Sequence, residues 1–463
     1  MRVNTMKNNS AQGSSRRSFI GGAAATLGAI SILPRHVLGG DVNTSPNEKL
    51  NLACVGVGGM QGKTDVRGVR SENIYALCDV DSRQFDKVAE FAPKAKRYKD
   101  YRVMLDKEAK NLDGITITTP DHTHANIALH AMELGLAVYC QKPLTHTIWE
   151  ARQLKNAAKK YNAITQMGNQ GYSSEGTRIA SEIIWSGKIG DVTEVHSGFD
   201  RQFAGHVKSW PKPVAVPDYL DWDLWLNRCD RPYGKGIHTC AWRGFFDFGS
   251  QMIGDWGVHM LGPAHLGLAL SNPLSVECFA IGETNEVTFP AYACKIDFPE
   301  RPNPHVPGTT LPPVSVYWYE GGMFKKTFPL PEGLAADTMK KYNTLFKGTE
   351  GYMGTSGRGT GVRLLPKESM KGFKKPKRIL ERVKGGHYKN WCDAIKTGKA
   401  ACSNFDVAAP YVEWLLLGTI ACRFPNQKLM WDAKNMRFTN NDAANEFVKP
   451  SFRSGWEIPE IKV

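Results

Sequence analysis

Residues 50–62 read Leu-Asn-Leu-Ala-Cys-Val-Gly-Val-Gly-Gly-Met-Gln-Gly, an apolar run that breaks into glycines and opens into a helix predicted over 60–70. Glycines at such a turn let the backbone approach a pyrophosphate, and the N–H groups and dipole of the helix start favour its negative charge. The strict G-x-G-x-x-G spacing is not met: Gln61 stands where the third glycine belongs and Gly62 follows. The next apolar run, Ile74-Tyr75-Ala76-Leu77-Cys78, ends in Asp79, about twenty residues on, where a carboxylate accepts hydrogen bonds from ribose hydroxyls. That carboxylate repels a 2′-phosphate, so the pattern favours NAD over NADP. The first candidate cofactor-binding residues are therefore Gly56, Gly58, Gly59, Met60 and Asp79.

Outward from this turn the chain alternates short apolar runs with amphipathic stretches. Strands are predicted at 50–58, 74–80, 113–119, 136–140 and 163–167, and helices at 60–70, 82–92, 122–135, 147–161 and 174–187. Repeated β-α units of this length imply an α/β fold, a Rossmann-type, doubly wound parallel sheet. Ligands in such sheets sit beyond the carboxyl ends of the strands. This adds Thr119, Pro120 and His124 after the third run, Gln141 and Lys142 after the fourth, and Gln170 after the fifth. His122 and His124 lie at a helix start with no carboxylate and histidine set nearby, so no metal is expected.

After about Asp200 the texture changes to Pro/Trp-rich sequence at 208–233 and then to strands of period two. In 291–298, Tyr292, Cys294, Ile296 and Phe298 alternate with Ala291, Ala293, Lys295 and Asp297, which puts one face in a core. The second half is expected to be α+β with a largely antiparallel open sheet, and Pro-rich 299–313 to be a loop. The boundaries read as 1–46 for a signal and linker, 47–170 for the nucleotide-binding domain and 171–463 for a substrate-binding and oligomerisation domain.

Ser15-Arg16-Arg17-Ser18-Phe19-Ile20, followed by uncharged Ala/Gly-rich sequence to Leu33, has the order of a twin-arginine export signal. The apolar part falls short of the ~20 residues that span a bilayer, so a periplasmic protein without stable membrane insertion is expected. Part of the net charge of +14 sits in that leader, and another part in the Lys/Arg run of 367–384. No aromatic platform interleaves the run, so it reads as a solvated face and not as a nucleic-acid site. The 10 cysteines lack CxxC spacing, which suggests neither a zinc module nor a cystine framework.

Taken together, the glycine turn, Asp79, Thr118-Thr119-Pro120-Asp121-His122-Thr123-His124, Gln141-Lys142-Pro143 and Gly254-Asp255-Trp256-Gly257-Val258-His259 resemble the Gfo/Idh/MocA oxidoreductases. Trp222-Asp223-Leu224-Trp225 and Trp242-Arg243-Gly244-Phe245-Phe246-Asp247-Phe248-Gly249 are similar to the exported branch of that family. The resemblance implies a catalytic lysine at Lys142, an acidic partner at Asp255 and a catalytic histidine at His259. Gln141 departs from it, standing where the family usually has Glu. Spacing alone puts Asp255 and His259 on one helix face, so Asp255 is expected to orient the His259 ring. Either His259 or neutral Lys142 then takes the hydroxyl proton during hydride transfer, or Lys142 as a cation polarises the developing alkoxide instead. Tyr172, His238, Trp242 and Arg243 are candidate substrate residues.

The resemblance implies oxidation of a hydroxyl on a sugar, glycoside or cyclitol, at C3 in one form, with a homo-oligomer built on the second sheet. An exported enzyme meets no free NAD pool, which favours a tightly held NAD recycled within the cycle. The other reading is a redox-neutral glycoside hydrolase, like the family's NAD-dependent α-N-acetylgalactosaminidases, which oxidises, eliminates, hydrates and reduces.

Overall fold

The computed structural model describes residues 48–199, 209–282, 286–323 and 341–463; the twin-arginine segment lies outside them. Six parallel strands form the first sheet: β1 (Asn51–Val55), β2 (Asn73–Cys78), β3 (Lys96–Tyr98), β4 (Gly114–Ile117), β5 (Ala137–Cys140) and β6 (Thr165–Met167). Their order is β3-β2-β1-β4-β5-β6, so the chain reverses its winding direction at β1/β4, where a doubly wound sheet opens a crevice. Every residue of β4 and β5 is buried, as strands covered on both faces must be. The covering helices are α1 (Gly59–Gly68), α2 (Tyr101–Glu108), α3 (His124–Glu133), α4 (Ile148–Lys160) and α5 (Glu175–Trp185). Thr147 starts α4 through a reciprocal capping box with Glu150.

The observed elements differ from the sequence reading in three places. The helix expected at 82–92 is a 3-10 helix, Ser82–Val88, whose buried apolar residues Phe85 and Val88 are three apart and stack on a three-residue turn. Strand β3 and helix α2 were not expected: β3 has no buried residue to leave a periodic signal, and α2 is started by the Asp100 side chain accepting from Arg102 N–H. The 299–313 segment holds a two-stranded hairpin of β10 (Arg301–Pro302) and β11 (Thr310–Leu311), with buried Arg301 donating to the carbonyls of Leu268, Pro299 and Pro312.

The second sheet has nine strands. They are β7 (Val192–Phe199), β8 (Ser275–Ile281), β9 (Ala291–Phe298), β12 (Val314–Glu320), β13 (Thr344–Gly348), β14 (Tyr352–Ser356), β15 (Gly361–Leu365), β16 (Lys428–Asp432) and β17 (Arg437–Phe438), ordered β15-β14-β13-β7-β12-β9-β8-β16-β17. All pairings are antiparallel except β7 with β12. Tyr292, Cys294, Ile296 and Phe298 of β9 face the core, at most 1% exposed. Helix Phe405–Ala421, buried along nearly its whole length, packs against α4 and against the turn that carries Asp255. Among the described residues no helix is long and apolar enough to cross a membrane.

Candidate active site

The β1–α1 turn is shaped by its glycines. Gly56 has φ +75° and a Cβ there would stand 2.5 Å from the Thr118 carbonyl oxygen; one on Gly62 would stand 2.6 Å from that of Gly56. Gly58 caps α1 without a side-chain hydrogen bond, so no capping side chain claims the first-turn N–H groups. Asp79, at the end of β2, accepts from Val57 N–H and Gly58 N–H, both at 2.9 Å, and from Asp81 N–H at 2.9 Å. Burial pushes its carboxyl up to about 6 against the pull of those bonds. Asp79 therefore fixes the glycine turn as well as lining the crevice.

A cavity of about 520 Å³ follows this turn, lined by Gly56, Gly58, Gly59, Asp79, Thr119 and Pro120 and, across it, by His238, Trp242 and Arg243. A Cβ at Gly59 would meet nothing within 4 Å, which leaves the helix start open to a ligand. Glycine cradle, uncapped helix start and strand-end carboxylate fit a dinucleotide. Met60 lies on α1, its side chain outside the described residues.

Lys142 follows β5, and its Nζ donates to the Asp255 carboxylate and, at 3.0 Å, to the Asp255 carbonyl oxygen. Arg243, stacked over Trp242 at 4.2 Å, brings Nε to 3.9 Å from the other Asp255 oxygen. Burial works to raise the Asp255 carboxyl, but the Lys142 and Arg243 charges outweigh it and hold the group below the usual carboxylate range. His259 is nearly buried; burial first, then the Lys142 and Arg358 charges, push its ring well below the ordinary histidine range. The ring is neutral at pH 7, and its Nδ1 has no hydrogen-bond partner.

Asp255 does not orient His259 as the spacing suggested. Ile253–Gly257 forms a wide π turn, with Val258–Met260 following as α-helix. The turn is widened where side chains take over its backbone groups: Tyr292 hydroxyl accepts from Ile253 N–H at 3.4 Å, and Tyr411 hydroxyl donates to the Gly257 and Val258 carbonyls at 3.2 and 3.0 Å. The Asp255 carboxylate turns to Lys142, and the His259 ring lies edge-on to Trp256 at 5.7 Å. Asp121 braces the approach to the turn by accepting from Ser250 N–H and Oγ at 3.0 and 2.6 Å.

Two other expectations are corrected. His124 is fully buried with both ring nitrogens against main-chain carbonyls, Pro143 at 2.8 Å and Thr119 at 2.9 Å, so it braces the crevice wall from behind and offers no nitrogen to a cofactor. Tyr172 is a core residue packed beside His265 and Tyr411, away from the cavity. Gln170 reaches Tyr388 Oη at 3.3 Å and joins a buried network around Asp65. His238 has its Nε2 3.7 Å from an Asp81 oxygen, and burial lowers its pKa.

The site also contains groups that sequence reading did not single out. Asp65 of α1 accepts from Gln61, Thr118, Gln141 and Tyr388. Glu320, at the end of β12, is pushed up to about 8 by burial and further by the nearby Asp255 charge. Tyr388 lies 323 residues from Asp65, a separation that leaves no local pattern to read.

The profile described as "Oxidoreductase family, NAD-binding Rossmann fold" matches residues 50–169, and "Oxidoreductase family, C-terminal alpha/beta domain" matches 179–288. Inositol 2-dehydrogenase of Burkholderia multivorans is 26% identical over 37% of this chain and 51% of its own length; that of Salmonella typhimurium is 29% identical over 37% and 51%. The chain thus spans about half the length of these curated relatives. Among solved structures, an inositol dehydrogenase homologue of Azotobacter vinelandii with NADH and myo-inositol superposes with a TM-score of 0.54 at 17% identity, covering 83% of this chain and 98% of that one. The aldose-aldose oxidoreductase of Caulobacter crescentus gives 0.53 at 16% identity, covering 83% and 100%. These likenesses are of fold. With both matched regions in order along one chain, a six-stranded dinucleotide crevice and a mixed second sheet, the protein belongs to the Gfo/Idh/MocA oxidoreductase family.

Proposed function

We propose that this protein is an NAD-dependent dehydrogenase of a sugar, glycoside or cyclitol ring hydroxyl, with C3 as the reacting carbon in the sugar case. The observation that carries the reading is the Lys142–Asp255 ion pair beside a neutral, buried His259, joined through Arg243 to the crevice that the glycine turn opens. When bound, NAD supplies the hydride acceptor. The glycine turn and the start of α1 would hold its pyrophosphate, and Asp79 would face its adenosine ribose.

The protein's own task is the hydroxyl proton. His259 has an open lone pair at neutral pH because burial and cationic neighbours oppose its protonation. Lys142, its ammonium fixed by Asp255, stabilises the developing alkoxide. Arg243, held over the buried Trp242 ring, offers the substrate a cation where it lines the crevice.

The sign of the pH dependence follows. Falling pH protonates His259 and removes the base, and its lowered pKa places that loss below the ordinary histidine value of about 6.5. Wild-type kcat/KM is therefore expected to hold down to about pH 6.5 and to fall only below it. His259→Gln is expected to lose roughly 100-fold in rate and to lose this acid limb. A variant with wild-type rate and the same limb would remove His259 from the reading.

The resting place of the protein, as we propose it, is the periplasm, reached by the twin-arginine route with NAD already bound. The protein is proposed to pair through its second sheet, where Phe279 and Ile281 of β8 and Met430 of β16 stay exposed. A monomeric mass by light scattering would contradict the pairing.

A further inference from the structure

The family's usual glutamate before the catalytic lysine is Gln141 here, yet a buried carboxylate still stands beside that position. Asp65 on α1 is fully buried, and Gln141 Nε2 donates to both its oxygens at 3.0 and 2.8 Å. Tyr388 Oη at 2.6 Å, Thr118 Oγ1 at 2.7 Å and Gln61 Nε2 at 2.7 Å donate to it as well. Cys54 and Tyr139 are the other titratable groups near it. No lysine or arginine pairs with Asp65 among the described residues; burial raises its carboxyl above the usual carboxylate range against the pull of these neutral donors.

This donor set fixes the direction of the Gln141 amide. Only its NH₂ side can face a carboxylate, so its Oε1 must point the other way, where it accepts from Lys142 N–H at 3.2 Å. Gly168 leaves the room for this arrangement, since a Cβ there would stand 2.7 Å from Gln141 Cδ.

We propose that Asp65 and Gln141 together replace the single family glutamate, Asp65 carrying the charge and Gln141 transmitting its orientation to the backbone of Lys142. Asp65 is then a positioning residue for the lysine. The inference rests on the catalytic role of Lys142 given above.

The test compares variants on whichever of myo-inositol, D-glucose and methyl α-D-glucoside the wild-type enzyme oxidises fastest. Misplacing a reacting group by about 1 Å costs about 100-fold, so Asp65→Asn and Gln141→Leu are each expected to lower kcat by roughly 10- to 100-fold, with KM for the polyol changed less than about threefold. Gln141→Glu puts two carboxylates in hydrogen-bond contact, which cannot both ionise; its kcat should decline as pH rises past neutrality. Asp65→Asn/Gln141→Glu restores one carboxylate facing one amide and should recover most of the lost rate.

Melting temperature and NADH binding by fluorescence, read on every variant, separate folding from positioning. A folded Asp65→Asn or Gln141→Leu with wild-type kcat and pH profile would overturn the inference, as would a double variant no better than Asp65→Asn. Lys142→Met serves as the reference: if it keeps its rate, the role of the lysine itself fails, whatever Asp65 does.

Discussion

Lys142→Met is expected to lower kcat by about 10³- to 10⁴-fold while NADH still binds. The upper part of the range for one positioned proton-handling or charge-stabilising group applies, because Lys142 makes direct contact with Asp255 and its side chain is only 14% exposed. The substitution also leaves the Asp255 carboxylate buried with Arg243 alone, at 3.9 Å. Breaking a buried pair from one side costs about 3–5 kcal/mol, so the melting temperature should drop as well. The two effects separate in Lys142→Met/Asp255→Asn: removing the stranded charge should restore stability but not rate. Steady-state kinetics and thermal unfolding on both variants, beside the wild type, check both. A double variant that regains rate would mean that the lysine matters only as a counter-ion to Asp255.

The second large effect is at Asp79. Asp79→Ala removes the acceptor of Val57 N–H and Gly58 N–H, both at 2.9 Å, in the turn that receives the pyrophosphate. Each N–H left without an acceptor costs about 1–3 kcal/mol, and every 1.4 kcal/mol is tenfold in affinity. NADH binding is expected to weaken by about 100-fold or more. NADPH should gain relative to NADH, because the charge opposing a 2′-phosphate is gone. Fluorescence titration with both nucleotides checks this; unchanged NADH affinity would mean that the turn keeps its shape without the carboxylate.

The parallel sheet was readable because most of its strands are short apolar runs that alternate with amphipathic helices. Elements without a buried face, such as β3, gave no signal. Glycines near 56–62 and Asp79 could be placed from chemistry alone, since the turn is local and its requirements are backbone requirements. Asp255 and His259 come from the family resemblance, and the helical spacing that puts them on one face misplaces them: Tyr292 and Tyr411, distant in sequence, take up backbone groups and widen the turn. Asp65 escaped notice because an aspartate in a helix four residues after Gln61 reads as an exposed polar position until Thr118, Gln141 and Tyr388 close over it. Tyr172 was misread for the opposite reason. A tyrosine after a strand end is equally at home in a core, and its neighbours His265 and Tyr411 come from far along the chain.

The central claim is that this crevice holds NAD and uses it on a carbohydrate hydroxyl. The most direct measurement is to purify the protein without added nucleotide, denature it and assay the supernatant for NAD(H), then incubate untreated enzyme with a panel of sugars, cyclitols and aryl glycosides. The account predicts near-stoichiometric NAD(H), a keto product from a ring hydroxyl and NADH absorbance that bleaches when a carbonyl acceptor is added. Release of free phenol with an unoxidised sugar would instead establish the redox-neutral hydrolase, and the absence of bound nucleotide together with no binding of added NAD(H) would contradict the account altogether.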